Sequence, residues 1–326
     1  MQIPSLSVII PAFNVSKTII ETLNSLYRNI NSSFEVIIVD DQSDDGTVQT
    51  IEKFIKEKSK NNIRILVNEN NSGPGVSRDR GLSQARGNFV LFFDGDDILR
   101  PNAVDTTIRL LIDRNVDVAI LPYNIIYGSQ KTGIGMWDSD KAIFDALVLA
   151  PKGEVRPADF PKLLSLTNYP WNKITRKSFL EEISLSFGNL RLHEDIIAHW
   201  KILLNADNVL INKIPICDYY SNPDGSSATN NKTTLRFQSI DALRNLYIYI
   251  CSNPKYQFAI PTYIEFSLNL ISWAHSNIVA EHKDEFTRKA RELLIQYDLR
   301  YLQIIFHRDR HLYNKVYSLI VRNEVN

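Results

Sequence analysis

The strongest constraint on this chain is a repeated alternation near its start. Short, almost wholly apolar runs alternate with segments whose apolar residues return at helical spacing, and each of these runs ends against polar or turn-forming residues. Leu6 to Ile10 is halted by Pro11, after which Ile19, Ile20, Leu23, Leu26 and Tyr27 mark a helix. Glu35 to Val39 is closed by Asp40 and Asp41, and Val48, Ile51 and Ile55 line the next helix. Ile63 to Val67 precedes the loop Asn71 to Gly75 and a helix from Val76 to Ala85. Asn88 to Phe93 then stops abruptly at Asp94-Gly95-Asp96-Asp97. Near-continuous apolar strands are those covered on both faces. Three βα units ahead of the acidic turn therefore predict an α/β fold, a mostly parallel, right-handed sheet flanked by helices. Its ligand belongs beyond the carboxyl ends of the strands, where the polar residues gather.

Thr18 and Glu21 fit a capping box at the first helix. Pro101 suits the first turn of a later helix, and Val116 to Leu121 reads as another strand. From Asn124 to Tyr169 the punctuation by Gly128, Gly133, Gly135, Pro151, Gly153, Pro157 and Pro161 predicts loops and short strands. Past Ser227 the polar stretch Thr229-Asn230-Asn231-Lys232 leads into helical periodicity, with Ile264, Leu268 and Ile271, then Leu299, Leu302, Ile305 and Phe306, at helical spacing. The expected division is an α/β domain over 1–228 and a helical C-terminal domain over 229–326, serving acceptor, oligomer or partner contacts.

At 326 residues the chain exceeds one comfortable core, in keeping with that division. Lys plus Arg (37) balance Asp plus Glu (37), so no overall field draws it to nucleic acid or an anionic membrane, and an anionic ligand must be held locally. Cys217 and Cys251 match no zinc or redox spacing, which argues for a reducing compartment with both thiols as buried fillers. No basic flank precedes Leu6 to Ile10, and no apolar run is long enough to span a bilayer. The expectation is a cytoplasmic protein, with peripheral contact at the inner face of the plasma membrane left open. The basic cluster His307, Arg308, Arg310 and His311 is either such a contact or a solvated helix face.

The acidic turn is the sharpest chemical feature. Mg²⁺ or Mn²⁺ takes a few carboxylates plus substrate phosphate oxygens, so Asp94 and Asp96 on one turn can dock a metal-bound diphosphate; alternatively the turn is only acidic and solvated. Asp40 and Asp41 end the second strand on the same edge, either accepting hydrogen bonds from a base or ribose or capping a turn. Arg78 lies near that edge too, either holding a nucleotide or pairing with Asp79 or Glu69. A dinucleotide-binding dehydrogenase is excluded, because no Gly-x-Gly-x-x-Gly follows the first strand.

Together these segments resemble the family 2 glycosyltransferases, which have the GT-A fold. Pro11-Ala12-Phe13-Asn14 looks like the family's Pro-x-Tyr/Phe-Asn, and Val39 to Thr47 looks like its Val-Asp-Asp-Gly-Ser-x-Asp-Gly-Thr. The Gly-Pro-Gly-x-x-Arg run at 73–78 and Asp94-Gly95-Asp96-Asp97 look like its later signatures. The resemblance implies that Pro11, Phe13, Asp40 and Arg78 surround the nucleoside of UDP, with Asn14, Asp41 and Gly95 in the same site. It implies further that Asp94 meets the ribose and Asp96, with Asp94, the metal. Departures are Gln42 where glycine is usual and Asp79 where asparagine is usual.

The resemblance continues through Trp171-Asn172-Lys173 and His193-Glu194-Asp195, which it places around the donor sugar and acceptor, with Asp195 as general base. Read as residues, Asp195 also suits the first turn of a helix. Trp171 is either a sugar platform or core, and His193 a metal or acceptor contact or merely structural. Tyr219 to Ser227 resembles a segment in which relatives often carry an arginine, and none occurs here. The implied function is inverting transfer of a hexose or N-acetylhexosamine from a UDP-sugar to a glycan or lipid-linked acceptor, with Mn²⁺ or Mg²⁺ as cofactor and a homodimer through the tail left open. The alternative is a catalytically inactive sugar-nucleotide-binding or scaffold protein on the same fold.

Overall fold

The computed structural model describes residues 3–127, 132–133, 135–147, 153–221 and 231–308, together with 310, 311, 313, 314 and 317. The alternating start folds as read, into β1 (Leu6–Ala12), α1 (Ile19–Asn29), β2 (Phe34–Asp40), α2 (Thr47–Lys58), β3 (Ile63–Val67), α3 (Pro74–Gln84) and β4 (Phe89–Phe92). β5 (Ile98–Leu99), α4 (Ala103–Arg114), β6 (Val118–Ile120), β7 (Asn124–Tyr127), β8 (Thr132–Gly133), α5 (Asp138–Leu147) and β9 (Glu154–Val155) follow. Then come β10 (Lys173–Arg176), α6 (Lys177–Glu182), α7 (Glu194–Asn205), β11 (Val209–Ile211) and β12 (Cys217–Ser221). Four further α-helices follow in the described chain: α8 (Gln238–Cys251), α9 (Ile260–Ser276), α10 (Lys283–Leu294) and α11 (Leu299–Arg308).

The main sheet runs β3-β2-β1-β4-β10-β6-β11-β9. β3, β2, β1 and β4 are mutually parallel, as expected of strands joined by helices. β10 departs from that pattern, because it lies antiparallel between β4 and β6. Running against β4, it begins where β4 ends, so Asn172 and Lys173 arrive at the carboxyl edge. A second sheet, β5-β12-β7-β8, starts immediately after the acidic turn and carries Tyr219 and Tyr220 beside it.

Strand alternation sends β1 side chains into two cores. Leu6, Val8 and Ile10 share one with α1 and α4, while Ile9 belongs to the other, which also holds Val39, Phe92 and the apolar faces of α7 to α10. The boundary expected near 228 falls within 222–230, outside the described residues, as do Gly128 and Pro151. Among the described residues no helix is long and apolar enough to cross a membrane.

Three expectations need correction. Thr18 makes no side-chain cap; its hydroxyl donates instead to the carbonyl of Gly95 at 2.9 Å, tying α1 to the acidic turn. The segment after Asn124 holds a ten-residue helix, α5, whose Ile143, Phe144 and Leu147 are buried; flanking glycines and prolines hid that short periodicity. Cys251 is exposed at the end of α8, whereas Cys217 is buried.

α3 lies so close to β1 that a Cβ on Gly81 would stand 2.4 Å from Ile9 Cγ2. Gly81→Ala should therefore destabilise the protein by about 1–3 kcal/mol despite alanine's better helix propensity. In urea unfolding, Gly81→Ala combined with Ile9→Ala should lose less than the sum of the two single changes.

Candidate functional site

β1, β2 and β4 end side by side, Ala12 opposite Asp40 and Ile9 opposite Phe92, so the loops after them share one rim. Asn14 stitches two of these loops together. Its backbone takes a left-handed φ of 55°, its N–H donates to Ser43 Oγ at 3.0 Å, and its Oδ1 accepts from the Asp44 N–H at 3.0 Å. Gln42 also adopts a positive φ, 64°, where glycine is unstrained; its Nε2 donates to the carbonyl of Asn68, which offsets part of that cost. Pro11 is half-buried in β1 and Phe13 is 49% exposed on the rim.

The two aspartates after β2 divide their work. Asp41 is saturated: it accepts from Asn68 Nδ2 at 2.7 Å and from the backbone N–H groups of Ser72 and Gly73 at 2.9 and 2.7 Å, fastening the loop that leads into α3. Asp40 accepts from the Ser43 N–H at 3.0 Å through one oxygen, while the other is buried with no hydrogen-bond partner. A buried acceptor left unmatched is costly, so Asp40 is the one suited to a ligand's donor.

Arg78 makes neither of the ion pairs considered from sequence. Only 4% exposed, it forks between two carboxylates: Nη2 to Asp94 Oδ1 at 2.9 Å and Nη1 to Glu194 Oε1 at 2.6 Å. Both partners hold its pKa above the usual guanidinium value against the opposing effect of burial. Asp79 does not compete, because it accepts from Ser186 Oγ and from the N–H groups of Phe187 and Gly188, fixing the loop ahead of α7. The departure from asparagine at 79 thus serves loop anchoring.

The acidic turn carries more negative charge than its neighbours cancel. Surrounding protein and then the charge of Asp94 push the Asp96 carboxyl up to about 6, although its side chain still reaches solvent. Burial, then Asp96 and Asp94, push Asp97 well above the carboxylate range; one of its oxygens accepts from the Tyr220 N–H at 3.3 Å and the other has no partner. Arg78 touches only Asp94 among the three. Such a turn suits a divalent cation on Asp94 and Asp96. No group of three or more His, Cys, Asp or Glu side chains poised to hold a metal occurs among the described residues. Two carboxylates are a donor set that Mg²⁺ or Mn²⁺ can accept when water and phosphate oxygens complete the shell.

α7 brings the second carboxylate centre. Glu194 and Asp195 form its first turn, after His193 at a left-handed φ of 65°. Asp195 is half-buried, and burial followed by the charge of Glu194 raises its carboxyl to about 7, while Arg78 and Lys173 pull the other way. Burial and then Arg236 lower His193 to about 4, so it is neutral at pH 7. Its Nε2 has no partner, and its ring meets the edge of Trp273 at 6.1 Å.

All three residues of the Trp171-Asn172-Lys173 segment are buried. Trp171 has no exposed surface and stacks on Tyr169 at 4.3 Å, which makes it core rather than a sugar platform. Asn172 and Lys173 are 1% and 4% exposed, and Lys173 Nζ donates to the Tyr169 carbonyl at 2.7 Å and to Asn172 Oδ1 at 2.6 Å. They underlie the site. Sequence reasoning missed the role of Glu194 as the partner of Arg78 and gave no task to Asp97 or Tyr220; no local pattern marks contacts between such distant segments.

A family model described as glycosyl transferase family 2 matches residues 7–184. The chain is 38% identical over 209 residues to poly(ribitol-phosphate) β-N-acetylglucosaminyltransferase TarS of Staphylococcus aureus, a match covering 63% of this chain. It spans only 33% of that relative's length. It is 25% identical over 207 residues to glycosyltransferase GlyG of Streptococcus pneumoniae, covering 64% of this chain and 68% of that one. The structure resembles that of S. aureus TarS 1–349 in complex with UDP-GlcNAc with a TM-score of 0.80 at 23% identity, covering 98% of this chain and 89% of the other. That likeness shows a common fold.

Removing the fork should unbalance two buried carboxylates at once. Arg78→Met is expected to cost about 3–5 kcal/mol, read as a lower urea midpoint, and Arg78→Lys to recover only part, since an ammonium cannot make both bonds in one plane.

Proposed function

The chain belongs to glycosyl transferase family 2, with that family's GT-A fold, and from that premise we propose that it catalyses inverting transfer of a hexose or N-acetylhexosamine from a UDP-sugar. The acceptor is a hydroxyl of a glycan or lipid-linked glycan. The observation that carries this reading is the Arg78 fork, which joins an acidic turn suited to a metal-bound diphosphate to the helix bearing a carboxylate poised near neutrality. Two carboxylate centres with separate tasks are what a single displacement at the anomeric carbon requires.

In this reading Phe13 offers its exposed face to the uracil, and the unmatched oxygen of Asp40 accepts from the nucleoside. Asp94 and Asp96 would hold Mn²⁺ or Mg²⁺, which when bound neutralises charge developing on the departing diphosphate. Asp195 takes the proton of the acceptor hydroxyl as its oxygen bonds to the anomeric carbon. The bond from that carbon to the diphosphate breaks on the opposite side, UDP leaves with the electron pair, and the anomeric configuration inverts. Glu194, committed to Arg78, serves to hold the start of α7 against the turn. TarS, by name, transfers N-acetylglucosamine, which makes UDP-GlcNAc the first donor to try.

Purified protein given a panel of UDP-sugars without acceptor should release UDP from one of them, and only with Mn²⁺ or Mg²⁺ present. By calorimetry Asp96→Ala should lose metal-dependent donor binding, whereas Asp195→Asn should bind donor normally yet slow transfer by about 10²–10⁴. Native-rate transfer by Asp195→Asn would overturn the assignment of the base.

The pH dependence has a definite sign. Asp195 works only as the carboxylate and its carboxyl titrates at about 7, so transfer should fall as pH drops through 7 and approach about tenfold per unit below it. A rate that stayed flat between pH 5 and 7 would contradict the base being this residue.

A further inference from the structure

Beside Asp195 lies a small, partly open cavity of about 10 Å³, lined by Asp195 itself, Lys173, Asn168, Thr175, His199 and apolar neighbours. That volume admits one water molecule, provided two to four polar partners surround it. The partners are present. Asn168 Oδ1 and His199 Nδ1 are buried with no hydrogen-bond partner. His199 Nε2 stands 3.2 Å from the Leu164 carbonyl, which can only accept; that nitrogen therefore carries the ring proton and Nδ1 offers a lone pair to the cavity. Burial and then Lys173 hold His199 well below its usual pKa, in keeping with a neutral ring. Lys173 spends two of its three ammonium protons on the Tyr169 carbonyl and Asn172 Oδ1, leaving one for the cavity it lines.

We infer that Lys173 is a positioning residue for the base: through one buried water, which accepts from its ammonium group and donates to the Asp195 carboxylate, it holds that carboxylate charged and oriented. The water's second proton goes to His199 Nδ1 or Asn168 Oδ1. This rests on the reading of Asp195 as base. Four charged groups and one neutral ring set the balance there: Glu194 opposes ionisation of Asp195, Arg78 and Lys173 favour it, burial lowers the Lys173 ammonium to about 7 while Asp195 and then Asp140 hold it up, and neutral His199 completes the wall. Lys173 lies nearly fully buried, so bulk solvent screens its effect only weakly.

The test is the titration of the Asp195 carboxyl by ¹³C NMR on the full chain without donor or acceptor, its resonance assigned by loss in Asp195→Asn. Lys173→Met should raise the midpoint by about one to three units. Ala198→Val, which keeps both charges but puts methyl groups into the water's cavity, should raise it too, and it serves if Lys173→Met does not fold. In transfer assays the acidic limb should move with the NMR midpoint while donor KM stays put. A merely structural lysine would lower the melting temperature and leave the midpoint unmoved; that result in either folded variant overturns the proposal. Because the titration needs no turnover, a shifted midpoint in a protein that transfers no sugar would sink the transferase reading and leave the lysine–aspartate coupling standing.

Discussion

One buried guanidinium holds the site together. Arg78 reaches from α3 to Asp94, at the end of β4, and to Glu194, 116 positions further along the chain. The planar fork suits this duty, since each of two carboxylates receives its own N–H without a change of rotamer. The backbone is shaped to permit it. A Cβ on Gly75 would stand 2.7 Å from the Gly188 carbonyl and 3.1 Å from Glu194 Cγ, so only glycine lets the start of α3 approach α7 this closely. A buried ion pair of this kind is weak evidence for stability, because desolvation cancels much of the attraction. What it fixes is distance: the acidic turn and the helix carrying Asp195 cannot separate without stranding a charge.

Hydrogen-bond saturation sorts the remaining polar residues. Asp41, Asn14 and Asp79 spend their acceptors on backbone N–H groups and other loop residues, so they are joinery between loops. Asp40 and Asp97 each keep a buried oxygen without a partner, and Asp94 and Asp96 sit where carboxylates outnumber cations. Native proteins seldom leave buried acceptors unmatched. Asp40 and Asp97 both lie on the rim, which is where a ligand would repay the cost.

Much of the frame was readable before any coordinates. The first seven elements follow from apolar runs and helical spacing, which depend on neighbours in sequence and so survive translation into structure almost unchanged. The short pieces were harder. α5 hid among glycines and prolines, the Thr18 hydroxyl went to Gly95 rather than to its own helix, and β10, which no strand pattern marked, runs antiparallel within the mostly parallel sheet. Each was decided by a partner far away in the chain.

The sequence by itself determined the class of fold and the sheet edge where the polar residues gather, because periodicity and short motifs are local properties. Only the tertiary structure decided what each of those residues touches. It set Arg78 between Asp94 and Glu194, made Trp171 core, brought Lys173 and Asp195 to one cavity, and separated the saturated Asp41 from the unsatisfied Asp40 beside it. The physical reason is that charge, burial and hydrogen-bond saturation are sums over everything nearby in space. For this site several of those neighbours, Glu194 to Arg78 and Tyr220 to Asp97 among them, come from segments more than a hundred residues apart.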